Sequence, residues 1–409
     1  MELKHWKGYC LCSLGGSFPA DAVPAAELFA PLVLLVHRDP LRARGCFAVR
    51  SLGEALEPED TAALLPCATA APQGALADFV EAQGATVLNT AFSHAFAWLA
   101  APKPARDLRV TLVGLGDVGG TLLTALKLLG RELAELRIYD PNAAQCRRYE
   151  MELNQVLGLP VPRVTIAAPD TLFDCDLFLF TASRGVPPVG AAVQDVRMAQ
   201  FARNREMLSA YARQAREASF MGLFCQISDP VDLLSRTVFL DSNQDETGRF
   251  DAAGLLPEQI QGFGLGVMAA RAAYYAGLNG VDFMDGRAFG PHGAELIVAD
   301  HPVDYDAAVS AALTEQTVKA NLAVRELGFK PYIAPALSSA AISILKLIRG
   351  EVHYGAVPMG GAYFGCRSRF TPAGLRTERE PLHPELYARI RQVHAGLEDF
   401  DYDPCSETR

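Results

Sequence analysis

Residues Val113-Gly-Leu-Gly-Asp-Val-Gly-Gly120 carry the spacing that a dinucleotide's pyrophosphate requires. An apolar run, Leu108–Val113, precedes them, and Thr121-Leu-Leu-Thr-Ala-Leu-Lys-Leu-Leu129 follows with helical spacing. Gly114 allows a tight turn, Gly116 lets backbone approach the phosphates, and Gly119 lets helix and strand pack closely. The helix N-terminus then offers N–H groups and partial positive charge to an anion. Such a turn is common and says little alone. Here the next strand, Leu136-Arg-Ile-Tyr-Asp140, ends in an acid 24 residues beyond Gly116. Asp140 is placed to accept hydrogen bonds from an adenosine ribose and to repel a 2′-phosphate. The expected cofactor is NAD rather than NADP, held by Gly114, Gly116, Asp117, Val118, Gly119 and Asp140.

The elements that must position this turn alternate along the chain. Asp174–Ala182 reads as a buried strand ending in small residues, and Phe220–Asp232 as a strand followed by a turn. Ligands in doubly wound sheets bind beyond the strand carboxyl ends, where Thr181, Ala182 and Asp229 fall. The loop Ser183–Arg197, with two prolines and two glycines, has the length of an active-site lid. The expected fold is α/β. A doubly wound parallel (Rossmann) sheet spans 107–262, and an α+β catalytic domain spans 263–409.

Residues 1–105 read as a separate small α/β module whose task the sequence leaves open. Its strand-like runs are Pro31–His37, Gly45–Arg50 and Ala85–Leu88, with a helical run at Ala75–Gln83. Two prolines make Ala101–Asp107 a linker. His37 and His94 read as structural histidines.

Composition excludes several classes. Half of the 409 residues are hydrophobic, and 37 basic against 47 acidic residues give a net charge of −10 with no basic block. That is the wrong sign for a nucleic-acid binder. No apolar run is long enough to span a membrane, and the N-terminus lacks a signal-peptide core. Nine scattered cysteines read as reduced thiols of a cytoplasmic protein. No metal site is expected: His301 lies near Asp300 and Asp304 without ligand spacing.

From residue 107 to the C-terminus the chain resembles the L-lactate and malate dehydrogenases. The landmarks in order are Gly-Leu-Gly-Asp-Val-Gly, Tyr-Asp140, Met151-Glu-Leu-Asn154 and Thr181-Ala182. Arg197 with Asn204 follows, then Ser228-Asp-Pro-Val-Asp232, Gly264 with Arg271, and Gly290-Pro-His-Gly293. The leading 105 residues are not part of that family's usual chain. The resemblance implies that His292 is the general acid/base and that Arg271 grips a substrate carboxylate in two-pronged fashion. It implies that Arg197, on the closing loop, polarises the substrate carbonyl, and that Thr181, Ala182 and Asn204 contact the cofactor. The implied partner is a small carboxylate substrate, and the implied assembly is a homodimer or homotetramer.

Three departures qualify this. The family's histidine is oriented by an aspartate three residues before the arginine, where this chain has Met268. The family's Asn-Pro-Val-Asp turn appears as Asp229-Pro-Val-Asp232. The closing loop is longer, and a pocket-wall threonine aligns with Pro331. Asp229 restores a carboxylate near His292, holds a cationic group such as an amine or imine, or merely caps the turn before Pro230. Two functions remain: an NAD-dependent oxidoreductase acting on a 2-oxo or 2-hydroxy acid (or related imine), and a catalytically weakened NAD-binding sensor or scaffold.

Overall fold

A computed structural model of the chain describes residues 2–156, 158, 160–184, 196–293 and 295–402, with backbone alone at 196–199. The first segment forms β1 (Leu3–Trp6), β2 (Tyr9–Ser13), β3 (Val23–Pro24), β4 (Leu32–Val36), β5 (Cys46–Val49), α1 (Leu52–Leu56), α2 (Ala75–Gln83), β6 (Ala85–Asn89) and α3 (Ala95–Ala100). Then come β7 (Leu108–Val113), α4 (Asp117–Leu129), β8 (Leu133–Tyr139), α5 (Ala143–Leu153), β9 (Arg163–Ile166), β10 (Leu177–Phe180), α6 (Val196–Glu217), β11 (Leu223–Gln226), α7 (Val231–Ser242) and β12 (Ile260–Gly262). The remainder is α8 (Leu265–Asn279), β13 (Arg287–Phe289), β14 (Ile297–Ala299), α9 (Ala307–Glu326), α10 (Ile342–Ile348), β15 (His353–Met359), β16 (Ala362–Thr371), β17 (Gly374–Thr377) and α11 (Pro384–Glu398).

Six parallel strands lie in the order β12-β11-β10-β7-β8-β9. This is the doubly wound arrangement, and the order reverses between β7 and β10. Both faces are covered, which explains the unbroken apolar runs of the sequence. In β10, Leu177 and Leu179 join the core beneath α4, whereas Phe178 and Phe180 enter the aromatic core on the other face. Phe178 stacks there near Phe173, Phe224 and Tyr211, with centroids 4.4, 4.8 and 5.9 Å away. Helix α4 starts at Asp117, four residues before the helical run read from the sequence. Gly119 and Gly120 belong to its buried first turns.

Beyond β12 the sheet turns antiparallel through β15, β16 and β17. Gly360 and Gly361, both at positive φ, make the two-residue turn between β15 and β16. Strand β5 then pairs with β17, and β5, β6, β4, β2, β1 and β3 extend the same sheet to fifteen strands. Paired charges reinforce this junction. Arg376 contacts Glu54 at 3.2 Å, and Arg379 pairs with Glu57. Among the described residues no helix is long and apolar enough to cross a membrane.

Candidate active site

The glycine turn sits at the carboxyl ends of β7 and β10, where the strand order reverses. Gly114 has φ +97°, and a Cβ there would lie 2.6 Å from the Ala182 nitrogen. A Cβ on Gly119 would fall 1.9 Å from the Gly114 carbonyl oxygen. Gly116 differs: nothing lies within 4 Å of its Cβ position, so it borders an open cradle in front of α4. Thr181 fastens the β10 end to this turn, its hydroxyl donating to the carbonyls of Val113 at 3.0 Å and Gly114 at 2.7 Å. Asp140 follows β8 and accepts the N–H groups of Leu115 and Asn142, each at 2.8 Å. Its carboxylate is therefore fixed beside the turn. Asp117 opens α4 with a like charge for any phosphate, and Lys330 Nζ, reaching across from beyond α9, lies 2.9 Å from it.

Asn204 on α6 is fully buried. Its Oδ1 accepts from Arg184 N–H at 3.0 Å, and its Nδ2 donates to the Asp229 carbonyl at 2.7 Å. The amide thus braces the segment after β10 against the turn after β11. Ser228 adds a second brace, donating to the Ala182 carbonyl at 2.6 Å. These struts fix the backbone of Asp229.

His292 comes from the loop between β13 and β14. A Cβ on Gly264 would lie 2.9 Å from the His292 Cβ, so a glycine at the start of α8 admits the imidazole stem. His292 Nδ1 is 2.8 Å from Asp229 Oδ1. Its backbone N–H donates to Asp232 at 3.3 Å. Burial lowers the His292 pKa, but the charge and hydrogen bond of Asp229, aided by Asp232, outweigh both burial and Arg271, and the net direction is upward.

Arg271, one helical turn beyond Met268 on α8, approaches the same group. Met268 is buried, and its sulfur accepts weakly from Arg271 Nη1 at 3.6 Å. Asn321 Oδ1 on α9 accepts from Nη2 at 2.5 Å. Asp229 is close enough to raise the Arg271 pKa, though burial lowers it more.

The structure therefore brings His292, Asp229 and Arg271 into one constellation, and gathers Gly114, Gly116, Asp117, Gly119, Asp140, Thr181 and Ala182 into a neighbouring one. Val118 lies in the first turn of α4. The Arg197 backbone lies in the first turn of α6, while its side chain and loop residues 185–195 lie outside the described residues. Sequence reasoning missed Asn321 and Lys330. Neither carries a motif, because their partners are 50 and 213 residues away.

No family model matches the sequence. The L-lactate dehydrogenase of Treponema denticola is 32% identical over 151 residues, which are 36% of this chain and 44% of that one. L-lactate dehydrogenase 1 of Bacillus cereus is 27% identical over 197 residues, 47% of this chain and 55% of its own. The chain thus spans about half the length of the curated relatives it matches. In three dimensions, malate dehydrogenase from Archaeoglobus fulgidus in complex with NADH superposes with a TM-score of 0.59 at 15% identity. That match covers 71% of this chain and 98% of the other. The chain is lactate/malate dehydrogenase-like. At 15% identity the structural likeness carries the fold alone, and the fold is nearly the whole of that neighbour's. Within this lactate/malate dehydrogenase-like frame, Met268 and Asp229 are the departures that bear on chemistry.

Proposed function

We propose that the chain is an NAD-dependent oxidoreductase interconverting a small 2-oxo acid and its 2-hydroxy acid, or a related imine and amine. The observation that carries this reading is the His292–Asp229 contact of 2.8 Å, with Arg271 within electrostatic reach of both. Bound NAD would supply the hydride donor and acceptor. The residues present fit that group. Gly116 borders a cradle that a Cβ would fill, the α4 N-terminus faces it, and Asp140 is fixed beside the turn, where an adenosine ribose would lie. Lys330 offsets the acid at Asp117 that would otherwise repel a diphosphate.

Arg271 binds the substrate carboxylate through parallel N–H groups. His292, with Nδ1 engaged by Asp229, directs Nε2 at the C2 oxygen. In the reducing direction a proton passes from Nε2 to that oxygen as the C2–H bond forms, leaving neutral imidazole. In the oxidising direction neutral Nε2 takes the hydroxyl proton back. The raised pKa favours the protonated imidazole, the form that donates in the reducing direction. Arg197 is assigned the polarisation of the C2 carbonyl by its place in the sequence alone. Asn204 serves the site as a strut.

We further propose a cytoplasmic homodimer or homotetramer, which light scattering would test. The described cysteines are all free thiols. The competing sensor or scaffold reading rests on Met268, and a carboxylate from Asp229 weakens its premise. The deciding experiment follows NADH consumption against a panel of 2-oxo acids, with and without amines. Turnover of one supports the enzyme, and NAD binding without turnover of any leaves the sensor.

A further inference from the structure

We propose that Asp229 is the positioning residue of His292, a carboxylate delivered to the imidazole by the turn after β11 instead of by helix α8. The inference rests on the function proposed above for the identity of the reacting nitrogen, but not for the pairing itself.

The turn is built to hold a carboxylate in place. The Asp229 carbonyl takes the Asn204 amide at 2.7 Å. The Ser228 hydroxyl is tied to Ala182 at 2.6 Å, and the Ser228 carbonyl accepts from Gln226 Nε2 at 2.8 Å. Asn204 and Gln226 are both fully buried. With its backbone fixed on both sides, Asp229 presents a side chain that is 46% exposed to an imidazole only 14% exposed. An oxygen at 2.8 Å from Nδ1 settles the tautomer. Neutral His292 keeps its proton on Nδ1, where the carboxylate accepts it, and leaves the Nε2 lone pair for the substrate. When Nε2 gains a proton, the positive charge that develops faces Asp229 directly.

Helix α8 is not equipped for that task. One turn before Arg271 it carries Met268, which is buried and offers a thioether, an acceptor that is weak and carries no charge. Met268 contacts Arg271 instead. Among the described residues, the charged groups that act on His292 are Asp229 from the turn, Asp232 from the start of α7, and Arg271 from α8. Asp232 holds the histidine's backbone N–H, so it fixes the loop, whereas Asp229 meets the ring. Two duties therefore fall on two acids three residues apart. A carboxylate at 229 also accepts hydrogen bonds where an amide would donate them.

The test uses the full-length protein and reads His292 directly, by the NMR titration of its ring proton assigned with His292→Gln. Asp229→Asn keeps size and an acceptor oxygen but removes the charge. It is expected to move the His292 titration down by roughly 1 pH unit or more, since an opposite charge this close shifts a pKa by about 1–3 units. Asp229→Glu restores a carboxylate and is expected to hold the titration above that of the Asn variant. Given an active substrate, the pH–rate limb should move with the titration and kcat should fall while the KM for NADH stays put. A titration unchanged in Asp229→Asn overturns the proposal, and so does an Asp229→Glu variant that titrates like Asn. Failure of every 2-oxo acid to react would count against the proposed activity without touching this result.

Discussion

Both carboxylate oxygens of Glu258 accept the backbone N–H of Gly45, at 3.0 and 3.1 Å, and one also takes Cys46 N–H at 3.0 Å. Glu258 is fully buried where the first module meets the parallel-sheet half. Burial pushes its carboxyl up to about 7, against the pull of the backbone N–H groups and Arg44. Unfolded, the same group ionises near its ordinary value, so the folded state binds the extra proton between the two. Its contribution to stability is full below about pH 4.5 and is lost as pH rises through about 7. Glu258→Gln should remove that decline. Unfolding free energies of parent and variant from urea titrations at pH 4.5 to 7.5 should diverge by on the order of 1–3 kcal/mol in their change across the window. Parallel curves would show that Glu258 stays ionised.

His353 gives the opposite slope. It is buried against Phe263, with ring centroids 6.0 Å apart, and burial pulls its pKa down to about 4. The unfolded chain takes up a proton near pH 6.5 while the folded state does not. Stability from this residue is therefore present above about 6.5 and drains away as pH falls toward 4. His353→Phe should flatten the acid limb of the stability curve, checked by denaturant titrations at pH 5 and pH 7. Equal losses for parent and variant between those two values would contradict it.

The two glycines of the turn should separate folding from binding. Gly119→Ala places a methyl 1.9 Å from a carbonyl oxygen, so the turn must open, and both melting temperature and NAD affinity should fall. Gly116→Ala meets no protein atom within 4 Å. Its melting temperature should stay near the parent's while calorimetry shows NAD affinity weakened by about tenfold or more, a loss of roughly 1.4 kcal/mol. Unaltered NAD binding in Gly116→Ala would place the pyrophosphate elsewhere.

Asp140→Ala should narrow the preference for NAD over NADP, because it removes the charge that a 2′-phosphate would face. It also frees the N–H groups of Leu115 and Asn142, so overall affinity should drop for both cofactors. Calorimetric titration with each cofactor reads both effects. A preference ratio unmoved by the substitution would separate Asp140 from the ribose.

His292→Ala should reduce turnover about 10²–10⁴-fold, the usual worth of a positioned proton transfer, while NAD affinity stays nearly intact. Arg271→Ala should chiefly raise the KM for the carboxylate substrate, since two charge-assisted hydrogen bonds are lost. Asn321→Ala should follow Arg271→Ala at smaller amplitude, because it frees the guanidinium edge that Asn321 now holds. Steady-state kinetics on the substrate found in the panel settles all three.

What could be read without coordinates was what lies close in sequence. The Gly114–Gly119 spacing and Asp140 sit on consecutive elements, so a strand-turn-helix-strand pattern announces them. The carboxylate role of Asp229 was one of several open readings. Its partner is 63 residues away, and nothing local distinguishes an acid that caps a turn from one that meets a histidine. Asn321 and Lys330 were invisible for the same reason. The start of α4 was misplaced because Gly119 and Gly120 look like loop residues. Both lie within the helix, and they are glycines because a Cβ on Gly119 would strike Gly114 and one on Gly120 would strike Tyr149. The first module read as a separate body because its sheet partner, Gly374–Thr377, is a short strand near the other end of the chain.

That last pairing constrains the order in which the molecule is built. Glu54 and Arg376, neighbours at the junction, are 322 residues apart in the chain. During synthesis β5 emerges well before its partner strand, since Phe47 pairs with Leu375 far along the chain. Until β17 arrives, one side of β5 is a row of unpaired N–H and C=O groups, the kind of edge on which foreign strands add. Contacts of such long range are also the slowest to close. A chain cut before Gly374 would carry that open edge permanently, and self-association through β5 would be its characteristic failure.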